Sequence, residues 1–235
     1  MKFLFKLLRR LFWLALALIL AAGGLLAFQG YRMYRQALDG QSLEAALSAV
    51  RSAPGYTPID QLPELYLDAV VAVEDHRFEQ HSGIDPIAIL RAVVQDLRTR
   101  SLDQGGSTIT QQVAKNLFFT QEKQFARKIA EVFMAFRLED VYSKDEILEL
   151  YVNTIYFGDG YYGIHDASAG YFGKEPAQLT PYEATLLAGI PNAPSVYSLT
   201  ANPGLAAQRQ QYVVGQMVKY GYLTAGQAAS IAPPL

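Results

Sequence analysis

The sequence contains no cysteine among its 235 residues. A disulfide framework, a thiolate metal site and a thiol nucleophile are therefore excluded. The chain also lacks internal repeats and low-complexity tracts, and patterns typical of strands are scarce. Because 51% of its residues are hydrophobic, a chain of this length can form one ordinary domain with an appendage, but not two large domains.

Acidic residues are missing from the first 35 positions, which hold six of the 20 basic residues. Within this segment Leu11–Phe28 is an uncharged run of 18 residues, which as a helix reaches about 27 Å and can span a bilayer. The basic residues before the run predict a cytoplasmic N-terminus and an extracytoplasmic remainder. A cleaved signal peptide is the alternative, but the run is long for one, and Leu25, Leu26 and Phe28 make a poor cleavage site.

We therefore expect residues 1–35 to form a basic cytoplasmic segment and a single-pass anchor in the plasma (inner) membrane, with the domain that follows on the extracytoplasmic (periplasmic) side. Residues 36–61 are predicted to be a linker, which includes a short helix over 36–51 and a proline-rich stretch from Ala53 to Pro63. The rest of the chain, residues 62–235, is predicted to be one domain.

Helix start signals recur along this domain, each followed by apolar spacing. They are Asp85-Pro86, Ser143 with Glu146, Thr180-Pro181 with Glu183, Asn202-Pro203, and Thr224 with Gln227. The Gly/Tyr-rich stretch 156–163 is predicted to be an ordered loop. The domain is therefore expected to be mostly α-helical.

Two acidic residues stand at the end of an apolar helical pattern that runs from Leu65 to Val73, namely Glu74 and Asp75. Partial desolvation raises the pKa of a carboxyl group above its usual value of about 4.3 and suits it to general-base chemistry. A surface salt bridge to Arg77 is the alternative interpretation.

The stretch Gly105–Gln112 joins a flexible turn and hydroxyl caps to the start of a helix that also carries Lys115 and Asn116. Free backbone N–H groups at such a start favour an anion. An ordinary capped helix explains the same residues.

A third stretch, Phe125–Glu139, has an apolar face typical of a core helix. Arg127 and Lys128 precede Glu131 by four and three residues, which is close enough to orient this carboxylate and keep it ionised. An exposed salt bridge on the helix surface fits the same spacing.

Together these blocks resemble the glycosyltransferase family 51 domain of peptidoglycan synthases. The matching blocks, in order, are Glu74–Gly83, Gly105–Gln112, Arg127–Glu131, Lys144–Asn153 and Ala184–Tyr197. Larger members of the family carry a transpeptidase domain with a Ser-x-x-Lys motif. No serine here stands three residues before a lysine, so the chain resembles the monofunctional biosynthetic transglycosylases.

The resemblance implies a lysozyme-like fold with a small membrane-proximal lobe, and polymerisation of lipid II into β-1,4-linked glycan with inversion. It implies Glu74 as the general base and Glu131 as a second carboxylate near the departing diphosphate. A divalent metal, expected to be magnesium, would be bound with the substrate diphosphate and approached by Glu131. The implied partners are lipid II, the growing glycan, membrane lipid and other cell-wall synthases, but no nucleic acid.

The resemblance also assigns residues to the substrate groove. They are Asp75, Phe78, His81, Gly106, Ser107, Thr108, Gln111, Gln112, Lys115, Asn116, Lys123, Arg127, Lys128, Asn153 and Gly158. Two positions depart from the family's pattern, because Ala130 stands where many relatives have a basic residue and Lys123 where arginine is frequent. Both changes weaken the expected diphosphate contacts, since lysine lacks the bidentate fork of arginine.

A lytic, lysozyme-like enzyme and an inactive scaffold that binds lipid II are the two alternatives to a synthetic enzyme. The cations around Glu131 favour the synthetic enzyme. The apolar residues between Ile84 and Val94 either insert into lipid or are buried against the large lobe.

Overall fold

The computed structural model describes residues 2–99, 106–119 and 125–231. These residues form eleven α-helices, joined by turns and short 3-10 segments. The helices are α1 Lys2–Gly40, α2 Leu43–Arg51, α3 Glu64–Glu74, α4 Pro86–Thr99, α5 Ile109–Phe118, α6 Phe125–Val141, α7 Lys144–Thr154, α8 Ile164–Phe172, α9 Pro181–Gly189, α10 Pro203–Lys219 and α11 Ala225–Ser230. The prediction of a mostly helical domain behind one N-terminal apolar helix is confirmed.

Local sequence determines where several of these helices begin. Complete capping boxes start α7 at Ser143, α9 at Thr180 and α11 at Thr224. In each one the hydroxyl accepts from the third helical N–H, and the side chain of that third residue accepts in return, so unpaired donors at the helix start are satisfied. The predicted start signals at these positions are confirmed.

Helix α1 is longer than the predicted anchor. It continues to Gly40 without a break, and α2 starts separately at Leu43 behind the Ser42 cap. The prediction of one short helix over 36–51 is therefore wrong, since Gly40 and Ser42 interrupt it. Within the described residues α1 alone is long and apolar enough to cross a membrane, and none of its most apolar window is buried.

The segment predicted to be a linker packs on the domain. Leu43 of α2 is buried in the main hydrophobic core, and Arg51 lies 2.9 Å from Glu149 of α7. Further along, the Thr57 N–H donates to Asn153 Oδ1 at 2.8 Å, and Asn153 Nδ2 donates back to the Thr57 carbonyl at 2.9 Å. Residues from Leu43 onward are thus held to α7 by buried contacts.

The core surrounds α3, whose residues Tyr66, Ala69 and Val70 are at most 1% exposed. This helix packs against α9 and α10, while α5 packs against α6 and α7. A helix that is apolar on nearly every side is stable only in such an interior position. The C-terminus of α3 consequently lies at the edge of the core.

Helix α1 also packs along α6 beyond its apolar run. A Cβ atom built on Gly30 would lie 2.6 Å from Ile129 Cβ and 2.8 Å from the Ala126 carbonyl oxygen. Tyr31 and Tyr34 contact Phe133 with ring centroids 5.5 Å and 5.8 Å apart. Glycine at position 30 therefore permits the close approach of the two helices.

We predict that Gly30→Ala destabilises the protein, because the added methyl group has no room against Ile129. Overpacking of this kind costs about 1–3 kcal/mol, which lowers the melting temperature of a domain of this size by about 2–4 °C per kcal/mol. Thermal unfolding of the purified chain in detergent measures the change. Gly24→Ala is the matched control, since nothing lies within 4 Å of its added Cβ. Equal melting temperatures for the two variants would contradict the close packing.

Candidate active site

Glu74 is the last residue of α3 and stands where this buried helix meets a cavity. Its Oε2 accepts a hydrogen bond of 2.7 Å from Gln112 Nε2. Its Oε1 is buried and has no hydrogen-bond partner among the described residues. Burial raises the pKa of Glu74, and the bond from Gln112 opposes this effect only in part. A carboxylate with an uncommitted oxygen and a raised pKa is suited to accept a proton.

Asp75 has a different environment from its neighbour. Its carboxylate accepts from His81 Nε2 at 3.0 Å and from the Ile109 backbone N–H at 3.1 Å, and the side chains of Asp75 and His81 are each 4% exposed. These bonds fasten the C-terminus of α3 to the start of α5. The Asp75 carboxylate is thus held by His81 and by α5, although Asp75 also lines one of the two cavities beside Glu74.

The start of α5 is an ordinary capped helix. The Thr108 hydroxyl accepts from the Gln111 N–H, and the Gln111 side chain accepts from the Thr108 N–H. The Asp75 carboxylate accepts a hydrogen bond from the Ile109 N–H. The prediction of free N–H groups for an anion is therefore wrong at Thr108, Ile109 and Gln111, because a capping box and a buried carboxylate already satisfy them.

The second carboxylate, Glu131, is 1% exposed and lies on α6 between two cations. Arg127 Nε is 3.0 Å from one of its oxygens, and Lys128 Nζ is 2.9 Å from the other. Lys128 also donates to Ser107 Oγ at 2.7 Å. The predicted spacing therefore does bring Arg127 and Lys128 onto Glu131, and it also links α6 to the residues before α5.

Lys115 of α5 lines the same cavity as Glu74 and Glu131. Burial lowers the pKa of Lys115, while the negative charge of Glu131 acts in the opposite direction. The described residues provide no hydrogen-bond or ion-pair partner for its ammonium group. A partly buried cation of this kind is well placed to attract an anion.

One cavity brings together both predicted catalytic carboxylates and five of the predicted groove residues. It is lined by Val73, Glu74, Ser107, Gln111, Gln112, Lys115, Lys128, Glu131, Pro191 and Asn192. A neighbouring cavity shares Glu74, Ser107 and Asn192 with it and adds Gly106, Thr108 and several basic side chains. These basic side chains are Arg91, Arg209 and Lys219. The carboxylate Glu74 therefore has access to two adjoining spaces.

Sequence reasoning missed Arg91, Arg209 and Lys219. They lie on α4 and α10, remote in sequence from the motifs, and their spacing has no feature that distinguishes them from surface cations. Asn192 had a signal, because it stands within the Pro191–Ser195 part of the fifth matching block.

Other predicted groove residues have structural partners instead. Phe78 is 1% exposed, and Lys144 Nζ lies 4.3 Å from the centroid of its ring. Asn153 exchanges two hydrogen bonds with the Thr57 backbone. Gly158 has a φ of +86° and packs against the Pro194 carbonyl. None of these three lines either cavity, because each is committed to joining neighbouring segments.

Two predicted residues remain. The buried Asn116 Nδ2 has no hydrogen-bond partner among the described residues. Lys123 lies outside the described residues.

The described residues include no group of three or more His, Cys, Asp or Glu side chains that could hold a metal ion. Both oxygens of Glu131 already lie beside the cations Arg127 and Lys128, so direct coordination of a metal ion by this carboxylate is disfavoured. A hard divalent ion prefers several oxygen ligands. The side chains of this site therefore fit such an ion only when another molecule supplies most of its ligands.

Comparison with known proteins agrees with this arrangement. A family model described as Transglycosylase matches residues 40–218. A Cupriavidus necator protein with the name "Putative transglycosylase" is 48% identical over 182 residues, which cover 77% of this chain and 78% of that protein. Penicillin-binding protein 1A of Aquifex aeolicus and penicillin-binding protein 1F of Bacillus subtilis are each 46% identical over 172 residues, or 73% of this chain. That match spans only 24% of the length of either penicillin-binding protein.

We predict that Glu74→Gln stabilises the protein at pH 7. Because burial raises the pKa of Glu74 in the folded state, folding favours the protonated form. The contribution of protonated Glu74 to the free energy of unfolding is fully present below the pKa of about 4.3 that the residue has in the unfolded chain. This contribution is lost as the pH rises through the higher pKa of the folded state. Glutamine carries no charge, so the variant should melt above the wild type at pH 7, and the two melting temperatures should converge near pH 4.

Thermal unfolding in detergent across this pH range measures the difference. Glu79→Gln, at an exposed glutamate of the Phe78–Gln80 turn, is the matched control and should show no such convergence. A Glu74→Gln variant that melts below the wild type at pH 7 would mean that the site stabilises the ionised carboxylate.

Proposed function

Because this chain belongs to the transglycosylase family, we propose that it is a peptidoglycan glycosyltransferase that polymerises lipid II into β-1,4-linked glycan and releases polyprenyl diphosphate. One observation carries the proposal. A single cavity is lined by the half-buried Glu74, the buried Glu131 and the cations Lys115 and Lys128. A carboxylate base suits many reactions, but neighbouring cations suit a diphosphate leaving group.

In the proposed reaction Glu74 removes the proton from the 4-hydroxyl of the acceptor sugar. The hydroxyl oxygen forms a bond to the anomeric carbon of the donor while the bond from that carbon to the diphosphate oxygen breaks. Attack from the face opposite the leaving group inverts the α-linked diphosphate into a β-1,4 bond. The raised pKa of Glu74 and its uncommitted Oε1 support this role.

The leaving diphosphate needs positive charge more than it needs a proton. Lys115 is the cation best placed to supply it, because its ammonium group lines the cavity and has no partner among the described residues. Glu131 holds Arg127 and Lys128 in fixed positions at 3.0 Å and 2.9 Å. Fixed charges of this kind need no rearrangement when negative charge develops on the leaving group.

We further propose that magnesium enters with the diphosphate and neutralises part of its charge, with Glu131 as the nearest carboxylate. The protein alone should then show no magnesium binding in a calorimetric titration, whereas the substrate complex should. Chelation followed by addition of magnesium should first lower and then restore the rate of polymerisation.

The proposed location is the plasma membrane, with α1 as a single-pass anchor, the N-terminus in the cytoplasm and the domain outside. A reporter fused after Leu235 should be active only outside the membrane. The helix α4 supports contact with lipid, because Ile87, Leu90 and Val94 are at least 40% exposed. Membrane lipid, lipid II, the growing glycan and other cell-wall synthases are the proposed partners.

A lytic enzyme and an inactive scaffold are weaker candidates. Hydrolysis of a glycan has no diphosphate to stabilise, so it gives no reason for Lys115, Arg127 and Lys128 to surround the second carboxylate. A scaffold has no need for a base whose ionised form is destabilised by burial. Incubation of the purified chain with lipid II and magnesium, followed by separation of the products, distinguishes polymer from cleaved glycan.

We predict that Glu74→Gln lowers the rate of polymerisation by about 100-fold to 10,000-fold, because an amide cannot accept the hydroxyl proton. Asp75→Asn should cost less, since the Asp75 carboxylate is already engaged by His81 and by the α5 backbone. Initial rates with lipid II test this order, with circular dichroism as the check on folding. If Glu74→Gln keeps substantial activity while Glu131→Gln is inactive, Glu131 is the base and the two roles are exchanged.

We also predict that Lys115→Ala lowers turnover at least tenfold, which corresponds to about 1.4 kcal/mol, without unfolding the domain. The same loss is expected for Lys123→Ala. Arg137→Ala removes an exposed cation of α6 that lines neither cavity, so it controls for a general loss of positive charge. Turnover of Lys115→Ala equal to that of Arg137→Ala would show that Lys115 does not stabilise the leaving group.

A further inference from the structure

We propose that the anchor helix α1 is a positioning element of the active site, and that Gly30 is its positioning residue. Its packing against α6 holds Arg127, Lys128 and Glu131 at the level of the lipid headgroups. A diphosphate carried on a membrane-embedded polyprenyl chain lies at this level. The inference rests on the proposed function, since it assumes a substrate with such an anchor.

The first observation is the height of the contact along α1. The apolar run ends at Phe28, and Gly30 already lies against Ala126 and Ile129 of α6. With a rise of about 1.5 Å per residue, Gly30 is about 3 Å beyond the end of the run. The contact thus begins directly at the boundary between hydrocarbon and headgroups.

The second observation is the direction of α6. Gly30 contacts Ala126 and Ile129, whereas Tyr31 and Tyr34 contact Phe133. Both helices therefore rise from the membrane in the same direction, and the N-terminus of α6 is the end closer to lipid. Between Gly30 and Tyr34, α1 spans heights of about 3–9 Å beyond its apolar run, and the charged group of α6 lies within this interval.

The third observation is the division of α6 into two faces. At about 100° per residue, Ala126, Ile129 and Phe133 point to one side of the helix. Arg127, Lys128 and Glu131 point to the opposite side. One face of α6 is thus fixed to the anchor, and the other presents the charges to the cavity.

Exposed aromatic and apolar side chains are a separate indication that this part of the domain lies at the level of the lipid headgroups. Phe125, the first residue of α6, is 85% exposed, and Leu90 of α4 is 65% exposed. Tyr31, which follows the apolar run by three residues, is 43% exposed, and tyrosine is enriched at membrane interfaces. An exposed phenylalanine at the first position of α6 fits an interfacial environment.

The test changes the height of α6 without changing the face of α1 that contacts it. A polar, helix-forming heptad inserted between Phe28 and Gln29 lifts the domain by about 10 Å. Seven residues make nearly two full helical turns, so the net rotation of the domain is only about 20°. The matched control carries the same heptad between Arg9 and Arg10, on the other side of the apolar run. Both full-length proteins are compared with the wild type in lipid vesicles containing lipid II, and in detergent with a short-chain lipid II analogue.

We expect the outer insertion to lower the rate at least tenfold in vesicles, but to keep it within twofold of the wild type in detergent, where no membrane plane sets a height. The control insertion should stay within twofold of the wild type in both media. This split between media is a readout that a purely structural role of α1 would not produce.

A rate within twofold of the wild type in vesicles would overturn the inference, because the height of α6 would then be irrelevant. A tenfold loss in both media would overturn it as well, since α1 would then support the fold instead of setting a level. If the wild type itself forms no polymer in either medium, the proposed function fails and this inference fails with it.

Discussion

The geometry of the site depends on one buried carboxylate, that of Asp75. It accepts hydrogen bonds from His81 and from the first backbone N–H of α5, and so joins the end of α3 to the start of α5. Gln112, one turn into α5, is thereby placed to donate to Glu74 at 2.7 Å. A buried polar group that is fully bonded specifies a unique arrangement, whereas the loss of one partner leaves the other unsatisfied at considerable cost.

The same connection reaches the second carboxylate. Ser107 precedes α5 directly and accepts from Lys128, which also bonds to Glu131. A chain of polar contacts thus runs from the end of α3 through α5 to α6, and it holds two acidic groups in unlike environments. Glu74 is bonded by a neutral amide and Glu131 by two cations. Separate environments are the usual means by which a site assigns different tasks to two carboxyl groups.

Helix α1 adds a second constraint, which acts on α6 from the face opposite its charged residues. A domain that only needed tethering could follow its anchor through a flexible segment. Here α1 continues past its apolar run as one helix to Gly40 and packs on α6 through Gly30, Tyr31 and Tyr34. Because α2 also buries Leu43 and Ala46 in the domain, the path from the apolar run to the core has no long free segment within these residues.

Features that depend on near neighbours could be predicted from the amino-acid sequence alone. Capping boxes at Ser143, Thr180 and Thr224 involve residues three positions apart, and the contacts of Glu131 with Arg127 and Lys128 follow from helical spacing. The ordered family motifs indicated the transglycosylase family for the same reason, since each is a short contiguous block.

Features that join residues distant in sequence could not be predicted in this way, because they depend on how the helices pack. Asp75 and Glu74 are adjacent and chemically similar, yet Asp75 is bonded by a backbone N–H 34 residues away and Glu74 by the Gln112 amide. Asn153 bonds to Thr57 across 96 residues, and Arg209 reaches the cavity from α10. No local pattern records these partners, because they come together only when the helices pack. Helical spacing shows which residues share a face, but the packing decides what that face meets.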